Sequence, residues 1–363
     1  MSSSTEPDFD GALGAPDLTP ELHARLERLS PEKRQLAISR LLARSGRGQG
    51  SRARAEDGLV PVARDRDLPL SFAQERLWVL HEMDRSDAAY NIPAALILTG
   101  HLRLEALKQA LDEIVGRHET LRTTFDVSEG VPVQQIGTER ALDLPLEDLS
   151  HLPEPKLDEA RRRAAREFDE PFDLRTGPVI RGRVLRLDPD RHVLLLTIHH
   201  IVADGWSMAI IVRELEELYR TLTSAAPLPL RERSLQYADY AWWQRQTAEE
   251  GGLEPELSYW VRQLEHAPAV LDLPADHHRP PVRSSRGATV PFEISPALSA
   301  QLRDLARRAE STRFMVLLAA FSAFLYRISG QDDIVIGSPV AGRTRRELEP
   351  LVGFFVNTLP LRC

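Results

Sequence analysis

Cysteine is all but missing from this chain: there is one in 363 residues, and it is the last, Cys363. An internal disulfide and a cysteine metal site are thereby excluded, and a reducing cytoplasm is the expected compartment. An excess of positive charge is missing too. The net charge is -8 with 28% charged residues, which gives no electrostatic reason to expect nucleic acid as a partner. No run approaches the unbroken apolar length of a membrane span, so no membrane partner is expected. The opening Met-Ser-Ser-Ser-Thr-Glu lacks the basic region and apolar core of a secretory signal.

What is present concentrates at one joint, residues 197–207, reading Thr-Ile-His-His-Ile-Val-Ala-Asp-Gly-Trp-Ser. Upstream, Val193-Leu194-Leu195-Leu196 suits a strand covered on both faces. Downstream, Met208, Ile211, Val212, Leu215, Tyr219 and Leu222 recur at helical spacing, with Arg213, Glu214, Glu216, Glu217 and Arg220 opposite. Asp204, Gly205 and Ser207 between them are turn and cap residues. Successive side chains on a strand point to opposite faces, so His199 and His200 cannot share a cavity unless the backbone bends sharply. One is expected to be structural and the other to face a reactant. The same split weakens a metal reading of His199, His200 and Asp204, because ligands must converge on one ion; no metal is expected.

His199-His200-Ile201-Val202-Ala203-Asp204-Gly205 resembles HHxxxDG, the hallmark of the condensation domains of nonribosomal peptide synthetases. Alone, it leaves chloramphenicol acetyltransferase and acyl-carrier transferases open. Residues 71–78 (SFAQERLW) resemble a further motif of that family, SxAQxRLW, and residues 117–125 (RHETLRTTF) resemble RHExLRTxF. Residues 237–241 (YADYA), 336–343 (IGSPVAGR) and 353–358 (GFFVNT) continue the pattern in family order, so the resemblance runs from about residue 66 to the end. It implies an α/β fold with mixed sheets: two chloramphenicol acetyltransferase-like lobes in a V with a tunnel between them. The second lobe is expected to be incomplete, the chain being C-terminally truncated after Leu361 relative to the family. Asp87-Ala88-Ala89-Tyr90-Asn91-Ile92-Pro93 after Leu77-Trp78 looks like the branch that joins an L-configured donor to an L-configured acceptor.

Three regions follow. Residues 1–65 read as a tail with two short helices, starting at Thr19-Pro20 and Ser30-Pro31, and a Ser/Gly linker at 45–51. Residues 66–230 form the first lobe, and 231–363 a crossing segment with the partial second lobe. In the first lobe, strands are expected at Ala94–Leu98, Thr120–Phe125 and Val131–Ile136. A helix face is expected at Leu104, Leu107, Leu111, Ile114 and Val115, and a surface helix at Leu157–Phe168. Pro178–Leu187 and His192–His199 read as a hairpin that delivers the histidines. Hairpins mixed with crossovers argue for a mixed sheet. Helices at 235–246 and near Trp260 and a proline-rich crossing segment at 268–281 come next. Then follow a strand at Thr289–Ile294, helices at Pro296–Glu310 and Arg313–Ile328, and a strand at Ile334–Ile336.

The resemblance implies peptide bond formation between a donor acyl or peptidyl thioester and the amine of an acceptor aminoacyl thioester. Amide formation from a thioester is downhill, so positioning can carry much of the rate. Oriented reactants gain effective molarities of about 10⁵–10⁸ M, against about 10²–10⁴-fold from a general base. His200 takes the central role, shared between base and positioning, and His199 orients it by local hydrogen bonding. Asp204 pairs with Arg343 (alternative Arg122) to organise the loop. Gly205 lets a thin arm pass, and its amide is a candidate oxyanion donor. Trp206 and Ser207 are expected along the substrate tunnel. No cofactor is bound by the domain itself. Phosphopantetheine arrives on an upstream donor carrier, expected on a separate chain, and on a downstream acceptor carrier with its adenylation domain. Two rival readings are an acyl-CoA or acyl-carrier dependent acyltransferase of the same superfamily and a noncatalytic carrier or partner recruitment domain.

Overall fold

The apolar strand that leads into the two histidines is almost wholly buried. In a computed structural model, which describes residues 58–224, 234–277 and 287–363, all but the first of its nine residues are buried. The two short helices expected between residues 19 and 42 lie outside the described residues. Residues 59–363 form one compact unit.

Along the chain the strands are β1 (Leu68–Pro69), β2 (Asn91–Thr99), β3 (Thr123–Ser128), β4 (Val131–Ile136), β5 (Leu146–Asp148), β6 (Ile180–Asp188), β7 (Arg191–His199), β8 (Val335–Val340) and β9 (Asn357–Arg362). The helices are α1 (Phe72–Met83), α2 (Leu104–Arg117), α3 (Lys156–Phe168), α4 (Gly205–Thr223), α5 (Tyr237–Glu249), α6 (Glu254–Gln263), α7 (Pro296–Arg308) and α8 (Arg313–Ser329). The main sheet has the order β2-β7-β6-β5. Its inner pairs are antiparallel and β5 joins β6 in parallel, so the sheet is mixed. A second sheet has the order β1-β4-β3, and β8 pairs with β9.

Alternation along β7 builds three layers. Leu194, Leu196 and Ile198 pack with Leu107, Leu111 and Ile114 of α2 and Ile211 and Leu215 of α4. Val193 and Leu195 face the other way, against Ala160 and Ala164 of α3. Each fully buried leucine contributes about 1.5–3 kcal/mol, and a central strand covered on both sides holds its end still. The polar face of α3 is laced by pairs such as Arg162 with Glu159 and Arg163 with Glu147.

Local chemistry fixes where the elements start. Ser71 caps α1: its side chain accepts from the Gln74 amide while the Gln74 side chain accepts from the Ser71 amide, at 3.1 Å each. Leu59 is buried, and the Val62 amide donates to Asp239 at the start of α5, so residues 59–64 belong to this unit. The hairpin β6–β7 forms as its sequence predicts, and residues 120–122, expected to open β3, lie in a short 3-10 turn, Glu119–Arg122, instead.

The strand expected at Thr289–Ile294 does not form. Its alternating Val290, Phe292 and Ile294 side chains are exposed, and the segment joins none of the three sheets. Alternation gives a segment the side chains of a strand, but a strand also needs a neighbour to take its backbone hydrogen bonds. Among the described residues no single helix is long and apolar enough to cross a membrane. The α7–α8 pair reaches that composition only across a 105° bend.

Candidate active site

β7 ends at His199, and the chain turns at once through His200, Ile201 and Val202 into α4. The His200 amide donates to Tyr90 O at 2.8 Å and the Val202 amide to His199 O at 3.1 Å, so the turn is tied to the edge of β2 and closed on itself. Beyond it, Asp204 caps α4 by accepting from the Ser207 amide at 2.8 Å.

The two histidines divide as strand alternation requires. His199 is buried, with its ring edge-on to Phe172 at 6.0 Å and to His81 at 6.1 Å. Burial, with His81 and His200 adding, lowers its pKa to about 3, so the ring is neutral at pH 7. Its Nδ1 accepts from the Ile201 amide at 3.1 Å, which places its proton on Nε2. The local hydrogen bonding expected of His199 is thus made to the Ile201 amide, in the turn that carries His200.

His200 is half-buried, and its Nδ1 lies 2.8 Å from Ala203 O. A carbonyl can only accept, so Nδ1 carries a proton, and in the neutral ring the lone pair is on Nε2. Among the described residues Nε2 has no hydrogen-bond partner. The Phe354 ring meets the His200 ring at 4.7 Å and 63°. Gly205, the first residue of α4, is exposed, and nothing stands within 4 Å of where its Cβ would be.

Asp204 and Arg343, 139 residues apart, meet at 3.2 Å with side chains 0% and 2% exposed. Arg343 also donates to Leu348 O at 2.5 Å and Leu351 O at 2.7 Å, and lies over the Phe355 ring. Burial pulls its pKa below the ordinary guanidinium value and the Asp204 carboxylate opposes this. Gly342 before it has φ +65°, and a Cβ there would stand 1.9 Å from Phe355 O, so the approach requires glycine. Arg122, the alternative partner, bonds Gly137 O instead.

Residues 64–363 match the condensation domain family. The chain belongs to that family. It is 45% identical over 326 residues to a linear gramicidin synthase of Brevibacillus parabrevis, covering 90% of this chain and 6% of that protein. It is 47% identical over 316 residues to chondramide synthase of Chondromyces crocatus, covering 87% and 8%. This chain thus spans under a tenth of those synthetases. Among solved structures, the X-domain from teicoplanin biosynthesis aligns with a TM-score of 0.77 at 27% identity, over 84% of this chain and 67% of that one. The first condensation domain of the calcium-dependent antibiotic synthetase aligns at 0.67 and 26%, over 83% and 70%. The mixed α/β fold is therefore that of the nonribosomal peptide synthetase condensation domains.

Of the two residues expected along the substrate tunnel, Ser207 is enclosed in the joint. Ser207 is fully buried: its Oγ lies 2.7 Å from Asp204 Oδ1 and 2.9 Å from Gly353 O, and accepts from Arg343 and from the Gly353 amide at 3.1 Å. It is a pin in the joint and not a tunnel residue, because a helix N-terminus turns its third residue back toward the cap. Trp206 is half exposed and donates from Nε1 to Glu349 O at 2.9 Å.

Sequence reasoning assigns no role to Ser71, Tyr237 or Phe354, although each falls in a motif stretch. The fold brings them together at the histidine loop. The Tyr237 hydroxyl donates to Phe354 O at 2.5 Å and lies 2.8 Å from Ser71 Oγ. A Cβ on Gly353 would stand 1.8 Å from the Tyr237 ring. Among the described residues no group of three or more His, Cys, Asp or Glu side chains could hold a metal ion. A cavity of about 350 Å³ lined by Leu264, Pro268, Asp333 and Pro360 shares no residue with this loop, so His200 chemistry has no part in it.

Proposed function

We propose that this chain forms a peptide bond between a donor acyl thioester and the amine of an acceptor aminoacyl thioester, each carried on the phosphopantetheine arm of a carrier domain. The acceptor carrier comes with its adenylation domain, the donor and acceptor are both L-configured, and the reaction runs in the cytoplasm. Residues 66–230 supply one lobe and residues 231–363 the crossing segment and part of the other.

The single observation that carries this reading is the state of His200: Nδ1 is committed to Ala203 O and Nε2 is left as an unpartnered base. The amine nitrogen attacks the thioester carbonyl, the C–N bond forms and the C–S bond breaks. His200 Nε2 takes the amine proton and the leaving thiolate receives a proton in turn. No nucleophilic serine or cysteine is needed because the amine itself attacks. His199 holds the turn, the Asp204–Arg343 pair locks the loop to residues 342–355, and the open space at Gly205 leaves room for a thin arm.

The test compares wild type with His200→Ala and His200→Gln, using two loaded carriers and subtracting spontaneous coupling. The expected loss is about 10²–10⁴-fold with folding retained. Undiminished dipeptide in either folded variant would end the proposal. Likeness to an X-domain solved in complex with OxyB, at a TM-score of 0.74, supports the rival recruitment reading. That reading predicts partner binding that survives His200→Ala, with no dipeptide from wild type.

A further inference from the structure

We propose that Phe354 is a positioning residue for His200, and that the Tyr237 hydroxyl holds Phe354 in place. The proposal rests on the reading above that Nε2 of His200 is the working atom. A single hydrogen bond from Nδ1 to Ala203 O leaves the imidazole free to swing about that contact, and a ring 4.7 Å away at 63° closes one side of the swing. Phe354 is only 4% exposed, and the Arg76 guanidinium lies 6.0 Å from the centre of the same ring. It is therefore packed between its neighbours and is not a loose surface side chain.

Its backbone is tied at three consecutive residues. The Gly353 amide donates to Ser207 Oγ at 3.1 Å, Phe354 O accepts from Tyr237, and the Phe355 amide donates to Asp204 Oδ2 at 3.1 Å. The proton directions are consistent. Tyr237 spends its one proton on Phe354 O, so Ser71 donates to the Tyr237 oxygen while its own Oγ accepts from the Gln74 amide. Burial raises the Tyr237 pKa, which keeps the phenol a donor. The cap of α1, the first turn of α5 and the 353–355 loop are in this way linked to one imidazole.

The experiment uses the full chain with Phe354→Leu, Tyr237→Phe and His200→Ala. Nitrogen NMR of the imidazoles reads the His200 tautomer, the two-carrier assay reads kcat and KM, and melting reports folding. Wild type is expected to show His200 as the Nδ1–H tautomer. Phe354→Leu should give a mixture with Nε2–H and lower kcat about tenfold, with KM for each loaded carrier within about twofold. Tyr237→Phe keeps the ring packing and should shift both readouts the same way by about threefold. It carries the test should Phe354→Leu fail to fold. A wild-type tautomer and kcat in either folded variant would overturn the proposal. An active His200→Ala would instead sink the reading of His200 as the base, and the tautomer measurement separates the two failures.

Discussion

Replacing Asp204 by alanine removes a buried carboxylate that accepts from four groups: the Ser207 amide and hydroxyl, the Arg343 guanidinium and the Phe355 amide. Loss of the helix cap alone costs about 0.5–2 kcal/mol. The larger cost is electrostatic. Arg343, 2% exposed, would be left as a buried cation without its counter-ion, which costs about 3–5 kcal/mol. The two losses share Ser207 and Arg343, so they do not add. A destabilisation of about 3–5 kcal/mol is expected for Asp204→Ala, and Asp204→Asn should lose most of the charge portion while keeping an acceptor at the cap. Adding Arg343→Met to Asp204→Ala removes the stranded cation, so the double variant should be more stable than the sum of the singles by about 1–3 kcal/mol. Urea unfolding followed by tryptophan fluorescence measures wild type, the three single variants and the double variant. Asp204→Ala within about 1 kcal/mol of wild type, or strict additivity in the double variant, would refute the buried ion pair as what fastens residues 342–355 to the histidine loop.

Two further outcomes follow from the same geometry. An unfolded histidine protonates near 6.5, whereas folded His199 resists until about 3. Between these values the unfolded chain binds more protons, and stability falls as pH falls. From pH 7 to 5 this amounts to roughly 2 kcal/mol, in the same direction as buried His81. Urea midpoints at the two pH values should show it, and His199→Gln, if equally acid-sensitive, would show that His199 is not the source. Gly205→Ala places a methyl in open space, so stability should stay within about 0.5 kcal/mol while dipeptide formation slows. An unchanged rate would show that no arm passes there.

Much of the joint is readable locally. Alternation in β7, the helical period of α4 and the Asp204 cap lie within about thirty residues, and that range is enough to say that His199 and His200 face apart. The Asp204–Arg343 pair follows from resemblance, but no local pattern points across 139 residues. The failed strand at 289–294 is the converse case: its side chains alternate, and whether a neighbouring edge exists is not written in the segment.

By itself the sequence determined the strand-to-helix joint, the mixed hairpin-and-crossover order, and the pair of imidazoles at the joint. Only the tertiary structure decided what surrounds them: Ser207 turned inward as a pin, Trp206 bridged to Glu349, and Phe354 set against His200 by Tyr237. The physical reason is range. Periodicity and capping are short-range and fix which way a side chain leaves its own backbone. Its partner depends on which distant segment the packed core carries past it, and that is settled only when the whole chain closes.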